Sequence, residues 1–145
     1  MSRYSFVHFN YFNEFIEAEF PSFLDNNSHA EEIKNIVIRS FQKDVSEDDI
    51  SKELGITKRW LQKILKNNLG ITFKRLLRIL RIYAALKLLC ETNLDNYDIA
   101  LKLSYTEESN MARDFRKELH ICPAEARKRL AVMKPKYLFD ELWKR

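Results

Sequence analysis

Read for its apolar positions, the chain resolves into a succession of amphipathic helices. From Phe12, apolar residues recur at Phe15, Ile16, Phe20 and Phe23 on one helical face, with Pro21 expected to end the helix. Residues 25–28 form a polar loop. Ser28 with Glu31 has the spacing of a capping box, and Ile33, Ile36, Val37 and Phe41 then stripe a helix ending near Lys43. Ser46 with Asp49 is a second start signal. Ile50 and Leu54 form the buried side of a short helix, and Gly55 is placed to take the positive φ that stops it. Thr57 can cap a further helix that Gly70 ends. In that helix Trp60, Leu61, Ile64 and Leu65 fall together and are expected to face the core, while Arg59, Gln62, Lys63 and Lys66 fall on the other side. Thr72 opens a long helix with Phe73, Leu77, Leu80, Ala84 and Leu88 inward and Arg78 and Arg81 on its polar side. Twenty residues at ~1.5 Å each span roughly 30 Å. Residues 93–96 make the next break.

The pattern then repeats. Asp49, Ile50, Leu54 and Thr57 recur as Asp98, Ile99, Leu103 and Thr106, offset by 49. After a one-residue insertion, Leu61, Lys63, Leu65, Lys66, Leu69 and Ile71 recur as Met111, Arg113, Phe115, Arg116, Leu119 and Ile121, offset by 50. Helix, Gly-containing turn, helix is the helix-turn-helix arrangement. The chain therefore holds two related units joined by the long helix, whose length is comparable to one DNA turn of ~34 Å.

Composition narrows the fold class. At 145 residues the chain makes one compact domain, or a domain with a short extension. Two Gly and three Pro leave little material for tight turns, which argues against a β-rich fold. Cys90 and Cys122 form no CxxC pair and have no nearby His set, so no metal site is expected and both read as small buried residues of a reducing compartment. Arg78, Arg81 and Lys87 interrupt the best candidate for a membrane span, and no signal-peptide layout opens the chain. A soluble, cytoplasmic, nucleoid-associated protein is expected. No Ser/His or Cys/His constellation and no Gly-rich phosphate loop appears, so neither an enzyme nor a cofactor is expected.

Charge adds the partner. Residues 1–45 carry net −3 and residues 46–145 net +7, within a total of +4. From Leu54 to Cys90 the chain has nine Lys/Arg and no Asp or Glu. A solvated helical face normally mixes acids with its lysines for intrahelical pairs. This one lacks them, which points to a polyanion.

The residues from Asp48 to Leu89 and from Asp98 to Leu130 resemble the two units, linker helix and terminal Pro motif of the AraC/XylS family of bacterial transcription regulators. The resemblance covers about residues 31–130. It implies an all-α fold of two helix-turn-helix subdomains joined by a long linker helix, here with a short helical N-terminal extension. It also implies a transcription regulator, an activator, that reads promoter double-stranded DNA and contacts RNA polymerase. The family's first recognition helix corresponds to residues 57–69, and its base-reading positions match Arg59, Gln62 and Lys63. Arg or Lys suits guanine O6/N7 and Gln suits adenine N6/N7. Thr57, Lys58 and Lys66 match phosphate-holding positions. In the second unit the equivalents are Glu108, Ser109, Asn110 and Arg113 for bases, with Arg116 and Lys117 at the phosphate edge. An ion pair with a nearby acid is the other reading of Arg113.

The chain departs from the family at Ser104 and His120, which stand where Gly is usual, and at Ala126, where an aromatic is usual. Residues 96–120 carry four basic and five acidic side chains, with Glu107, Glu108 and Asp114 on or beside the recognition helix. The second unit is thus expected to bind weakly or to read a cytosine-containing step. The resulting division is residues 1–27 as an aromatic-rich extension, 28–71 as the first unit, 72–92 as the linker helix, 93–133 as the second unit and 134–145 as a C-terminal tail. The aromatic face of the extension either packs on the chain's own core or serves self-association or a protein partner. The residues before the resemblance are too few for the ligand-sensing domain usual in the family. A compact regulator controlled by its abundance, or part of a longer protein, follows. The alternative function is a protein-interaction adaptor on the same scaffold, in which DNA binding is secondary or has disappeared.

Overall fold

The computed structural model describes residues 14–18 and 47–144. The expected capping box at Ser28, the helix striped by Ile33, Ile36, Val37 and Phe41, and the residues Phe12, Phe20, Phe23 and Ser46 lie outside the described residues, as does the side chain of Ile50. Every element among the described residues is helical: a short stretch at 14–18, then α1 (Glu47–Leu54), α2 (Lys58–Leu69), α3 (Phe73–Glu91), α4 (Asn96–Lys102), α5 (Glu108–Leu119), α6 (Pro123–Leu130) and α7 (Pro135–Leu142). Two compact units divide within α3, at Leu77 and Arg78.

In the first unit α1 packs against α2. The turn between them forms as the glycine signal predicts. Gly55 takes φ +68°, and the Ile56 N–H donates to Ser51 O at 3.0 Å, closing the wide loop of a Schellman cap. Ser51 itself is buried and turns its hydroxyl back to Glu47 O at 2.8 Å. Thr57 caps α2, its Oγ1 accepting the Trp60 N–H at 3.1 Å, and Gly70 at φ +71° ends it. Thr72 caps α3 through the Arg75 N–H, again at 3.1 Å. Phe15, Ile16, Leu61, Ile64, Leu65, Leu69, Ile71 and Phe73 are buried. Phe15 and Ile16 thus belong to the interior.

The second unit contains the rest of α3 and helices α4 to α7. Its α4 packs against α5, and α7 packs against α5 and α6. Asp95 caps α4 by accepting the Asp98 N–H at 2.8 Å, and Pro123 and Pro135 open α6 and α7 at the position where a missing N–H costs nothing. Phe139 meets Tyr83 edge-on at 5.4 Å and stacks on Trp143 at 5.1 Å. The Arg127 guanidinium ties α6 to the loop before α4 through Leu94 O. Ser104 and His120 adopt φ +68° and +64°, repeating the left-handed positions of Gly55 and Gly70 without glycine.

Four expectations need correction. Trp60 does not face the core: 47% of it is exposed, while Leu61, Ile64 and Leu65 are sealed. It lies at the flank of the apolar arc, in the first turn of α2. Arg78 and Arg81 do not sit on a solvated side of α3. Leu76, Ile79, Ile82, Tyr83, Ala85, Leu86 and Leu89 are buried besides the expected Phe73, Leu80 and Ala84, so this helix is covered nearly all round and both arginines are half-buried. Leu77 and Leu88 are only half-buried. The cysteines are not buried either. Cys90 is exposed on the last turn of α3 and Cys122 is half-buried at the N-cap of α6, both as free thiols.

Candidate nucleic-acid interface

The two helix pairs carry the residues that the repeat singles out. In α2, Arg59, Gln62, Lys63 and Lys66 are exposed, opposite the buried Leu61 and Leu65. No acid lies within the helix. Its acidic neighbours come from α1. The Gln62 amide donates from Nε2 to Glu47 Oε2 at 2.8 Å, and Lys58 Nζ stands 3.8 Å from Asp48 Oδ1. The first bond orients the Gln62 amide, because only its nitrogen can donate to a carboxylate; Oε1 and a second N–H remain for a base edge. The second is an exposed pair of little energetic weight, readily exchanged for a phosphate. Gln62, Lys66 and Arg75 also line a surface cleft of about 530 Å³ with Glu47 and the start of α3. Lys63 holds its ammonium over the Trp60 ring, 5.6 Å from the centroid. The Thr57 hydroxyl accepts from Trp60 and keeps its own proton for an acceptor such as phosphate.

In α5, Glu108, Ser109, Arg113, Arg116 and Lys117 are exposed, and Asn110 is half-buried. Ser109 donates to Glu107 Oε2 at 3.2 Å, and the Asn110 amide donates to Thr106 Oγ1 at 3.2 Å. The inserted residue of the repeat falls here. Glu107, rather than Thr106, occupies the N-cap, and it makes no side-chain cap bond, whereas Thr57 caps α2 directly.

The acids of α5 divide into two sets, which changes the charge reading. Asp114 does not face outward beside Ser109 and Arg113. It accepts a hydrogen bond from the Tyr105 hydroxyl at 2.7 Å and lies 3.6 Å from Arg78 Nε. One turn on, Glu118 is 6% exposed; it accepts from Arg78 Nη1 at 3.0 Å and from the Trp143 indole at 3.3 Å. Arg78 thus bridges two carboxylates on the inner face of α5 and offsets one of their two charges. Burial, and next the Asp114 carboxylate, push the Tyr105 phenol well above its ordinary range, so it stays a hydrogen-bond donor. The Arg81 guanidinium sits over the Tyr105 ring at 5.5 Å. Glu107 and Glu108 at the start of α5 remain outward. Sequence reasoning missed this cluster, because Arg78 and Glu118 are 40 residues apart and carry no joint motif.

Among the described residues no helix is long and apolar enough to cross a membrane, and no group of three His, Cys, Asp or Glu side chains is placed to hold a metal ion.

A family model described as a helix-turn-helix domain, of the AraC type, matches residues 50–129, from the first turn of α1 to the last turn of α6. The chain belongs to this family. It is 27% identical over 106 residues to the lactose operon transcription activator of Staphylococcus xylosus, covering 73% of this chain and 38% of that protein. With the HTH-type transcriptional activator AarP of Providencia stuartii it shares 36% identity over 80 residues, 55% of this chain and 59% of that one. The chain therefore spans less than two thirds of either relative. Among solved structures it is similar to the C-terminal domain of the two-component response regulator yesN from Fusobacterium nucleatum, with a TM-score of 0.63 and 28% identity, covering 70% of this chain and 99% of that one. The C-terminal domain of the response regulator AraT from Geobacillus stearothermophilus shares the fold at a TM-score of 0.65 and 23% identity, over 71% and 86% of the two chains. Residues 50–129 thus form an AraC-type helix-turn-helix domain.

Proposed function

We propose that α2 and α5 are recognition helices that enter successive major grooves of a promoter and select its sequence. The observation that carries this reading is the exposed, acid-free face of α2, on which Arg59, Gln62 and Lys63 stand together with Lys66. Arg59 and Lys63 have the chemistry for guanine O6/N7, and Gln62, held by Glu47, that for adenine N6/N7. Thr57, Lys58 and Lys66 hold phosphates around them. On α5, Arg113 takes the base-reading place of Lys63, Ser109 and Asn110 supply small polar contacts, and Arg116 and Lys117 hold phosphates. Glu108 accepts from a cytosine amino group, the base edge that suits an outward acid. Activation, the role in the names of the S. xylosus and P. stuartii relatives, is the role we assign, with RNA polymerase as the second partner.

Selection from random duplexes followed by sequencing tests the reading. Enrichment of a motif with two separated segments supports it. A competing reading, a protein-interaction adaptor, draws on the exposed Tyr97 and Leu101 of α4 and on outward Glu107 and Glu108. The absence of any shifted duplex at low salt would favour the adaptor.

A further inference from the structure

Trp60 is the large apolar side chain that α2 leaves in water. Nearly half of it is exposed, although Leu61, Ile64 and Leu65 in the same helix are closed off. It stands in the first turn of α2, its backbone N–H fixed by Thr57 Oγ1. The N-terminal residues of a recognition helix are those that meet base edges. The Lys63 ammonium lies over the indole at 5.6 Å, which holds a rotamer-rich side chain along the ring and places a cation beside an apolar plane.

The surroundings of the indole select what covers it. Arg59, Lys63 and Asn67 are exposed on the same helix, which has no acid. An apolar partner would strip water from the Arg59 and Lys63 cations and the Asn67 amide without pairing them. A major groove offers both kinds of contact, phosphates along its walls and thymine methyl groups on its floor. We infer that Trp60 is a specificity-determining residue whose indole packs on the C5-methyl of a thymine beside the base pair that Lys63 reads. This assignment rests on the reading of α2 as a DNA-contacting helix.

The test uses the full chain and the duplex that selection enriches. Each thymine is replaced singly by uracil, which removes the methyl and keeps every hydrogen-bonding group. Wild type should lose about fourfold in affinity at one thymine, the size of one methyl withdrawn from water. That thymine should adjoin the pair at which Lys63→Ala relaxes specificity. Trp60→Ala should bind the unmodified duplex more weakly and treat thymine and uracil alike there, whereas Trp60→Phe should keep part of the difference. Because about half of Trp60 is covered, Trp60→Ala should melt several degrees below wild type, and binding compared below both midpoints separates a missing DNA interaction from an unfolded chain. A wild-type affinity indifferent to every thymine methyl overturns the assignment, and so does an undiminished uracil penalty in Trp60→Ala. Failure to enrich any motif overturns the DNA reading and this assignment together, a result distinct from a motif without methyl dependence.

Discussion

Ser104 and His120 hold left-handed backbone angles that glycine adopts at the equivalent places of the first unit. A Cβ built at Gly55 or Gly70 meets nothing within 4 Å, so the backbone angle alone asks for glycine there. An L-residue in this region is disfavoured by roughly 1–2 kcal/mol, part of which glycine returns through its larger unfolded-state entropy. Ser104→Gly and His120→Gly should therefore each stabilise the chain by about 0.5–1 kcal/mol, read as a rise of a few degrees in thermal denaturation. Thr57→Ala should do the reverse, costing about 1 kcal/mol by removing the cap of α2. These positions are legible in the sequence. The offsets of 49 and 50 place Ser104 opposite Gly55 and His120 opposite Gly70, and Gly spacing and Thr caps are local signals. The exposure of Trp60 is not legible there, because helical periodicity gives the direction of a side chain and not the extent of the neighbour that must cover it.

At the scale of elements, α5 is held by charge as well as by Met111, Phe115 and Leu119. Arg78 serves Asp114 and Glu118 together, and removing it takes from the buried Glu118 carboxylate its guanidinium contact at 3.0 Å. Arg78→Met should cost about 3 kcal/mol, the low end for a buried pair broken on one side because Arg78 and Asp114 stay partly in water, and a denaturant melt measures it. Tyr105 adds a pH dependence whose sign follows from its raised ionisation. The unfolded chain releases this phenolic proton near pH 10, while the folded chain retains it. Its contribution is therefore fully present below about pH 10 and is lost as pH rises further. Tyr105→Phe should be less stable at neutral pH through the lost bond to Asp114 and should show a shallower alkaline decline, seen by comparing melts of the two proteins across that range. No sequence pattern announces this cluster. Periodicity assigns Arg78 to a polar side because it treats a helix as having one neighbour, whereas α3 is covered on most of its circumference.

For the molecule as a whole, the cluster alters which charges are free to meet DNA. Residues 96–120 count five acids against four bases, but Asp114 and Glu118 are taken up by Arg78, from outside that span. The outward charge of α5 is thus Arg113, Arg116 and Lys117 against Glu107 and Glu108, and the unit is less hostile to phosphate than its composition says. The asymmetry with α2 persists, since that helix has no acid of its own. If Lys58, Lys66, Arg116 and Lys117 each neutralise one phosphate, log K should fall with log salt at a slope of about −3.6, at about 0.9 per contact. Between 50 and 200 mM salt that is a loss of roughly 150-fold. Lys66→Ala and Arg116→Ala should each make the slope shallower by about 0.9 and weaken all duplexes alike. Arg59→Ala should instead cost about 1–3 kcal/mol on the selected site and relax the preference at one base pair. Because α5 begins with outward Glu107 and Glu108, base changes in the segment read by α2 should cost more than changes in the segment read by α5. Titrations of single-substitution duplexes decide it: the α5 segment should show its largest penalty at a cytosine, where Glu108 accepts the amino group, and smaller ones elsewhere, whereas equal penalties across both segments would mean that Glu107 costs α5 nothing against phosphate.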